Sequence, residues 1–156
     1  MKALLLVSGL LISCLSYCQE YKSKYDAIDQ FDHGLAMTVK NGKTGMIDIK
    51  GNEIIPNVYD AIDRFDHGLA ITKKNGKTGV IDIKGNIIVP NEYDAIDKFD
   101  HGLAMTKKNG KTGVIDIKGN VIVPNEYDAI GRFDKGLAIT TKNGKSGIID
   151  IKGNVR

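Results

Sequence analysis

The chain is a tandem repeat with a period of 34 residues. Four tyrosines recur at that spacing, Tyr25, Tyr59, Tyr93 and Tyr127, and four phenylalanines six residues after them do the same. Residues 59–92 and 93–126 differ at only three positions. The predicted units are 25–58, 59–92, 93–126 and an incomplete fourth, 127–156. A residue shared by every unit is interpreted first as structural, because every unit solves the same folding problem.

Each unit has the sequence pattern of a three-stranded antiparallel meander. In the second unit, Leu69 and Ile71 alternate with Ala70 and Thr72. The Asn-Gly pair at 75–76 then predicts a type I′ hairpin turn, which needs positive φ at both residues. A return strand follows over 79–83, a second turn over 84–86, and a short β-branched strand over 87–89 that ends at Pro90.

The connector between units is ambiguous in sequence. Its apolar residues Tyr93, Ile96 and Phe99 fall three apart, which suits a helical turn, and Tyr93 to Ile96 is equally compatible with a fourth short extended segment. In both cases we expect these three residues to lie in the core and to pack one unit onto the next.

One meander buries too little apolar surface to be stable alone, so the units are expected to stack. We favour an open, curved array over a closed, propeller-like ring of four units. A 34-residue unit is short beside the about 40–45 residues of a four-stranded blade. Residues 20–24 also lack the β-branched character of 87–89. An open array leaves apolar ends, through which the chain would self-associate.

The first 18 residues form a predicted secretory signal peptide. Lys2 precedes an apolar run over 3–12, and small residues follow. That run is too short for a membrane span, which needs roughly 20 apolar residues. Cleavage after Cys18 would start the mature chain at Gln19 and remove both cysteines. The alternative is a lipoprotein anchored at Cys14, with a leader shorter than the usual range of about 15–30 residues.

The run from Tyr59 to Pro90 resembles the WG, or KWG, β-repeat family. The matching elements are Tyr59-Asp60, Phe65, residues 68–70, 76–79 and 81–82, Gly85 and Val89-Pro90. The resemblance covers four consecutive units and implies a β-rich repeat protein, commonly exported and bacterial, without a general catalytic activity. The chain departs from the family at the tryptophan of the WG element, which is replaced by Thr44, Thr78, Thr112 and Ser146.

Two sets of repeated side chains are candidate metal ligands. The histidines His33, His67 and His101 each follow an aspartate, but equivalent positions in neighbouring units lie at least one strand spacing apart, about 4.8 Å. The aspartates Asp94, Asp97 and Asp100 are three apart, unlike the alternate positions of a calcium loop. We therefore favour surface histidines and turn-stabilising aspartates over a zinc, copper or calcium site.

The hairpin tips carry Lys73, Lys74 and Lys77 around Asn75-Gly76, and their copies would form a cationic stripe on stacked units. Such a stripe is either a solvated face that prevents other strands from pairing with the sheet edge, or a surface for an anionic glycan or lipid head group. The net charge of +3 is too small for nucleic-acid binding. No triad, phosphate-binding loop or zincin motif is present, so we expect no enzyme and name no catalytic, cofactor or metal residues.

These observations predict a secreted, periplasmic or outer-envelope module with a protein or glycan partner. The alternative function is an array that binds a small ligand, Ca²⁺ or an anionic glycan.

Overall fold

The computed structural model describes residues 23–156. The predicted leader, 1–18, and its two processing sites lie outside the described residues. The fold is all-β, as predicted. Its strands are β1 (Ala27–Ile28), β2 (Leu35–Lys40), β3 (Lys43–Asp48), β4 (Glu53–Tyr59), β5 (Ala61–Ile62), β6 (Leu69–Lys74), β7 (Lys77–Asp82), β8 (Ile87–Tyr93), β9 (Ala95–Ile96), β10 (Leu103–Lys108), β11 (Lys111–Asp116), β12 (Val121–Tyr127), β13 (Ala129–Ile130), β14 (Leu137–Lys142) and β15 (Lys145–Asp150).

The strands form four antiparallel sheets in chain order. The first three sheets have four strands each, β1–β4, β5–β8 and β9–β12, and the fourth has β13–β15. None of these sheets closes into a barrel within residues 23–156. The chain divides into two compact units, of which the first ends at Ala61 and the second is Ile62–Arg156. The open array and the closed ring of sheets both stay predictions.

The three predicted strands of the meander are confirmed, and the connector adds one short strand to each sheet. The predicted end of the third strand at Pro90 is wrong, because β8 continues to Tyr93. The register shifts between the pairs Val80–Val89 and Thr78–Tyr93, and this irregularity leaves Pro90 outside the regular ladder, where its missing N–H is tolerated. In the third sheet Ala95 and Ile96 pair with Lys107 and Thr106 of β10. The connector is therefore extended, and the helical-turn alternative is wrong. The apolar spacing that suited a helix arises because Ile96 points into the core from a strand and Phe99 packs against the same core from a loop.

Both predicted turns are confirmed, and a third was missed. Asn75 and Gly76 have φ of 53° and 74°, as a type I′ hairpin requires, and Gly85 has φ of 84°. The missed turn is at His67-Gly68, where φ is 49° and 80°. Asp66 and Leu69 exchange backbone hydrogen bonds across it. The histidine-glycine pair hid this turn, because Asn or Asp is the usual residue before glycine there.

The core of the second compact unit, Ile62–Arg156, lies between successive sheets. Buried Val80, Val89 and Tyr93 pack with Ala104 and Ile115 of the next sheet. An equivalent cluster joins the third sheet to the fourth. In β6 the Ala70 and Thr72 face is buried, whereas Leu69 and Ile71 on the other face stay half-buried. Leu69 and Ile71 share their face with buried Val80, and Leu69 packs against the cluster that joins the second sheet to the third.

An inter-repeat contact explains one of the recurring glycines. Gly119, in the turn after β11, has φ of 82°, and a Cβ there would lie 2.4 Å from the carbonyl oxygen of Ile88 in the preceding repeat. Gly153 has the same relation to Ile122, at 2.3 Å. The third and fourth repeats are therefore each seated against the repeat before them at a position that only glycine fills. Within residues 23–156 no helix has the length and apolar character of a membrane span.

Candidate ligand-binding cleft

A cleft in the second compact unit, Ile62–Arg156, lies between the second and third repeats and has a volume of about 470 Å³. The half-buried rings of Phe65 and Phe99, from the same position of successive repeats, both line it. Aliphatic side chains from β6, β7 and the turn after β11 complete the apolar surface, namely Leu69, Ala70, Ile71, Val80 and Ile117. Ile117 remains 49% exposed, which is unusual for a side chain that serves only the core.

Local structure explains why these residues face the cleft. Leu69 and Ile71 are on the same face of the second sheet as Val80, since Ile71 pairs with Val80, and Leu69 packs at the edge of the core shared with the third sheet. The missed turn at His67-Gly68 reverses the chain directly after Phe65 and leads it into β6. That reversal brings the connector and this face of β6 to the same cleft.

The rim of the cleft carries charges of both signs. Asp63, Arg64 and Lys98 are exposed, and within residues 23–156 none of the three takes part in an ion pair. The other acidic group on this rim, Asp66, has Oδ1 2.8 Å from Nδ1 of His67. The cleft therefore offers an apolar, partly aromatic surface bordered by one free carboxylate and two free cations.

The predicted histidine positions are on the surface, as favoured. The side chains of His33, His67 and His101 are 93–95% exposed, and each places Nδ1 2.7–2.8 Å from the preceding aspartate. All three have positive φ, as does Lys135 at the fourth equivalent position. The turn imposes the backbone conformation, and the side chain is free to vary. No group of three or more potential ligands lies close enough to hold a metal ion in the described part of the chain.

The three aspartates of the connector do not converge. Asp94 accepts a hydrogen bond from Lys77 Nζ at 2.5 Å and another from the backbone N–H of Asn109 at 2.7 Å. Asp100 pairs with His101, and Asp97 is exposed. The hydrogen bond from Lys77 is the main cause that lowers the pKa of Asp94 below its ordinary value. Asp94 thus joins the hairpin tip of one repeat to that of the next. This contact is longer in range than the local turn stabilisation expected from the sequence.

The lysines of the hairpin tips are largely paired with acids. Lys77 and Lys111 contact Asp94 and Asp128, and Lys43 pairs with Asp60. Lys108 and Lys142 pair with Glu92 and Glu126 at 3.1 Å and 2.9 Å, and each ammonium also lies above a tyrosine ring. The expected cationic stripe is therefore mostly neutralised, which weakens its interpretation as a surface for anions.

The threonines at the tryptophan position lie close to these contacts between hairpin tips. Thr78 and Thr112 are only 3% and 7% exposed. Thr112 also lines a smaller pocket of about 260 Å³, together with Met105 and Ile130. A bulky side chain at this position would enter that pocket.

Comparison with known protein families identifies the repeat. The family described as the WG containing repeat matches residues 21–43, 45–77, 79–111 and 113–145. The chain belongs to the WG-repeat family. Membership in the WG-repeat family suggests a repeat-based binding or structural module.

Solved structures with a similar arrangement include two forms of Hsv2. KlHsv2 with loop 6CD replaced by a Gly-Ser linker is 11% identical, with a TM-score of 0.42 over 80% of this chain and 47% of that one. Kluyveromyces lactis Hsv2 is 8% identical, with a TM-score of 0.41 over 77% of this chain and 43% of that one. The chain therefore spans less than half the length of these proteins. A comparison with curated proteins finds no match.

Proposed function

We propose that this WG-repeat protein is an exported, non-catalytic binding module of the bacterial cell envelope, and that the cleft between the second and third repeats is its ligand site. The observation that carries the proposal is the cleft itself. It combines half-exposed apolar rings with free polar groups, the composition typical of binding sites. The hydrophobic sequence of residues 1–18 supports export.

Two features favour binding over catalysis. The histidines of the rim, His67 and His101, are highly exposed and pair with the aspartates that precede them, and the rim acid Asp63 is exposed. A general acid or base is usually tuned by burial or by a like charge nearby, and the repeat offers neither arrangement on this rim. Each of these groups also recurs in several repeats, whereas an active site brings different residues together once.

The function is tested with the processed chain, Gln19 to Arg156, and isolated envelope fractions. We expect the fluorescently labelled chain to be retained on envelope and released by cleft variants such as Ile71→Lys. The matched control is Ile139→Lys, at the equivalent position of the fourth repeat, where Ile139 is 68% exposed. Equal retention of both variants would contradict a role for the cleft, and no retention of the unmodified chain would contradict the proposed function.

Export is tested separately by the mass of the protein recovered from outside the cytoplasm. A mass that begins at Gln19 agrees with the predicted leader. A diacylglycerol adduct on Cys14 would instead place the same module on a lipid anchor, and an intact chain that begins at Met1 in the cytoplasm would overturn the proposal.

The alternative function, binding of an anionic glycan by the lysine stripe, makes a different prediction. Lys73→Gln and Lys107→Gln change two tip lysines for which no ion pair occurs among the described residues. Loss of envelope binding in this double variant, with the cleft variants unaffected, would favour the stripe.

A further inference from the structure

We infer that the cleft binds an uncharged polysaccharide, with pyranose rings seated against Phe65 and Phe99. This inference rests on the proposed function and assigns the chemical class of its ligand. Four properties of the cleft carry it: aromatic faces, a charge balance close to zero, groups that both donate and accept hydrogen bonds, and recurrence along the chain.

The aromatic faces select for a flat, partly apolar ring. Phe65 and Phe99 are half-buried and line the cleft, so part of each ring is accessible there. The C–H face of a pyranose is apolar and matches the negative face of an aromatic ring. An aliphatic ligand would also contact the phenylalanines. The cleft is open to solvent along a rim of charged groups, however, so a bound aliphatic ligand would stay partly hydrated.

The charge balance argues against an acidic ligand. Asp63 and Asp66 are interleaved with Arg64 and Lys98 on the rim, so an anion drawn to either cation also meets a carboxylate. A hydroxyl group has no such conflict, because it donates to a carboxylate and accepts from a guanidinium or an ammonium. A rim that holds a free carboxylate beside a free cation therefore matches a polyol better than it matches a peptide rich in Asp and Glu.

Recurrence along the chain points to a polymer. Each residue of the rim and floor has an equivalent of like chemistry 34 residues later: Lys98, Phe99 and Asp97 correspond to Arg64, Phe65 and Asp63, and Arg132 and Phe133 follow in the fourth repeat. The exposed isoleucine also recurs, because Ile117 and Ile151 are both 49% exposed. The same cleft chemistry is therefore repeated along the chain, and a ligand that itself repeats gains from this arrangement because several weak sites bind it by avidity.

The experiment measures binding of the processed chain to soluble neutral hexasaccharides by calorimetry. The probes are hexamers of glucose in β-1,4 and α-1,4 linkage and of N-acetylglucosamine. A galacturonic acid hexamer and a poly-glutamate peptide are the charged comparators. We expect at least one neutral hexasaccharide to bind, and to bind at least tenfold tighter than both comparators.

Substitutions taken from the chain's own repeats keep the fold intact. Arg64→Gln and Lys98→Gln copy Gln30, which occupies that position in the first repeat. A third substitution, Phe65→Leu, retains an apolar side chain but removes the aromatic face. We expect the Phe65→Leu variant to lose roughly tenfold in affinity. The Arg64→Gln, Lys98→Gln double variant should lose a similar factor, because two charged hydrogen-bond donors are removed.

The outcomes separate this inference from the proposed function. Envelope retention that depends on Ile71, with none of the neutral hexasaccharides bound, overturns the polysaccharide and leaves a binding module for another ligand. Tighter binding of galacturonate or poly-glutamate overturns it as well. Neutral-sugar binding that Phe65→Leu leaves unchanged removes the cleft as the site.

Discussion

Replacing the glycine of the WG element tests the packing that defines each repeat. A Cβ on Gly113 of β11 would lie 2.6 Å from the carbonyl oxygen of Val123 and 2.9 Å from the backbone nitrogen and the Cγ of Asn125, both on β12. Ordinary contacts of a Cβ begin at 3.4 Å, so the two strands must separate locally by about 0.8 Å. Because the third sheet pairs β11 with β12 on both sides of this point, the separation disturbs the pairing itself.

The side chain of Asn125 raises the cost further. Its Nδ2 donates to Thr106 O and Thr106 Oγ1, each at 3.0 Å, and to Lys111 O at 3.1 Å. Overpacking costs about 1–3 kcal/mol, and each weakened hydrogen bond adds about 1 kcal/mol or less. We therefore expect Gly113→Ala to lower the free energy of unfolding by about 3–5 kcal/mol, a large part of the roughly 5–15 kcal/mol typical of a domain.

The fourth repeat offers a matched control. Gly147 is at the equivalent position of β15 in the same compact unit, and a Cβ there meets only Thr140 Oγ1, at 3.2 Å. Neither glycine has a positive φ, so alanine adds no φ strain to the folded chain at either position, and its effect on the unfolded chain is the same at both. Urea unfolding followed by circular dichroism should show Gly147→Ala within about 1 kcal/mol of the unmodified chain. Equal losses in the two variants would refute the close-approach argument.

Three further predictions concern the turns and the buried amide. Asn91→Leu removes donors to Thr72 O, Thr72 Oγ1 and Lys77 O at 3.0–3.2 Å, and should cost about 2–4 kcal/mol in chemical unfolding; a loss under about 1 kcal/mol would show that water replaces the amide. Gly76→Val, at φ of 74°, should lower the melting temperature more than Lys77→Ala, which breaks only an exposed ion pair with Asp94; equal melting temperatures would contradict this. Hydrogen bonds from the side chain of Asn86 and from two backbone N–H groups hold the pKa of Asp82 below its ordinary value of 3.8. The ionised carboxylate therefore stabilises the folded chain above pH 3.8, and this stabilisation is lost as the pH falls through the lower, folded-state pKa. The stability difference between Asp82→Asn and the unmodified chain should therefore shrink as urea titrations move from about pH 7 to about pH 2, whereas the exposed Asp63→Asn should show a small effect at every pH; a constant difference for Asp82→Asn would remove the charged loop as the cause.

The candidate site was only partly visible in the sequence. Phe99 was assigned to the core, and the structure confirms that its ring packs there, yet the same ring also lines the cleft. The position of Arg64 and Lys98 on the rim of the cleft was missed, because a charged residue beside a core residue is ordinary in any exposed connector. One signal was available: a basic residue precedes the phenylalanine in the second, third and fourth repeats, while the first has Gln30.

The sequence by itself determined the repeat, the all-β class and the hairpin turns, because these depend on contacts within about ten residues and on backbone conformations that Asn-Gly favours. It also identified the residues that join repeats, since Tyr93 and Ile96 recur where polar residues surround them. Only the tertiary structure decided how the two faces of β6 are used. The alternation of Leu69 and Ile71 with Ala70 and Thr72 names no partner for either face, whereas in the structure Ala70 and Thr72 are fully buried and Leu69 packs half-buried against the core shared with the third sheet. Leu69 and Ile71 also line the cleft between the second and third repeats. The position of that cleft depends on how two repeats approach one another, which no local pattern records.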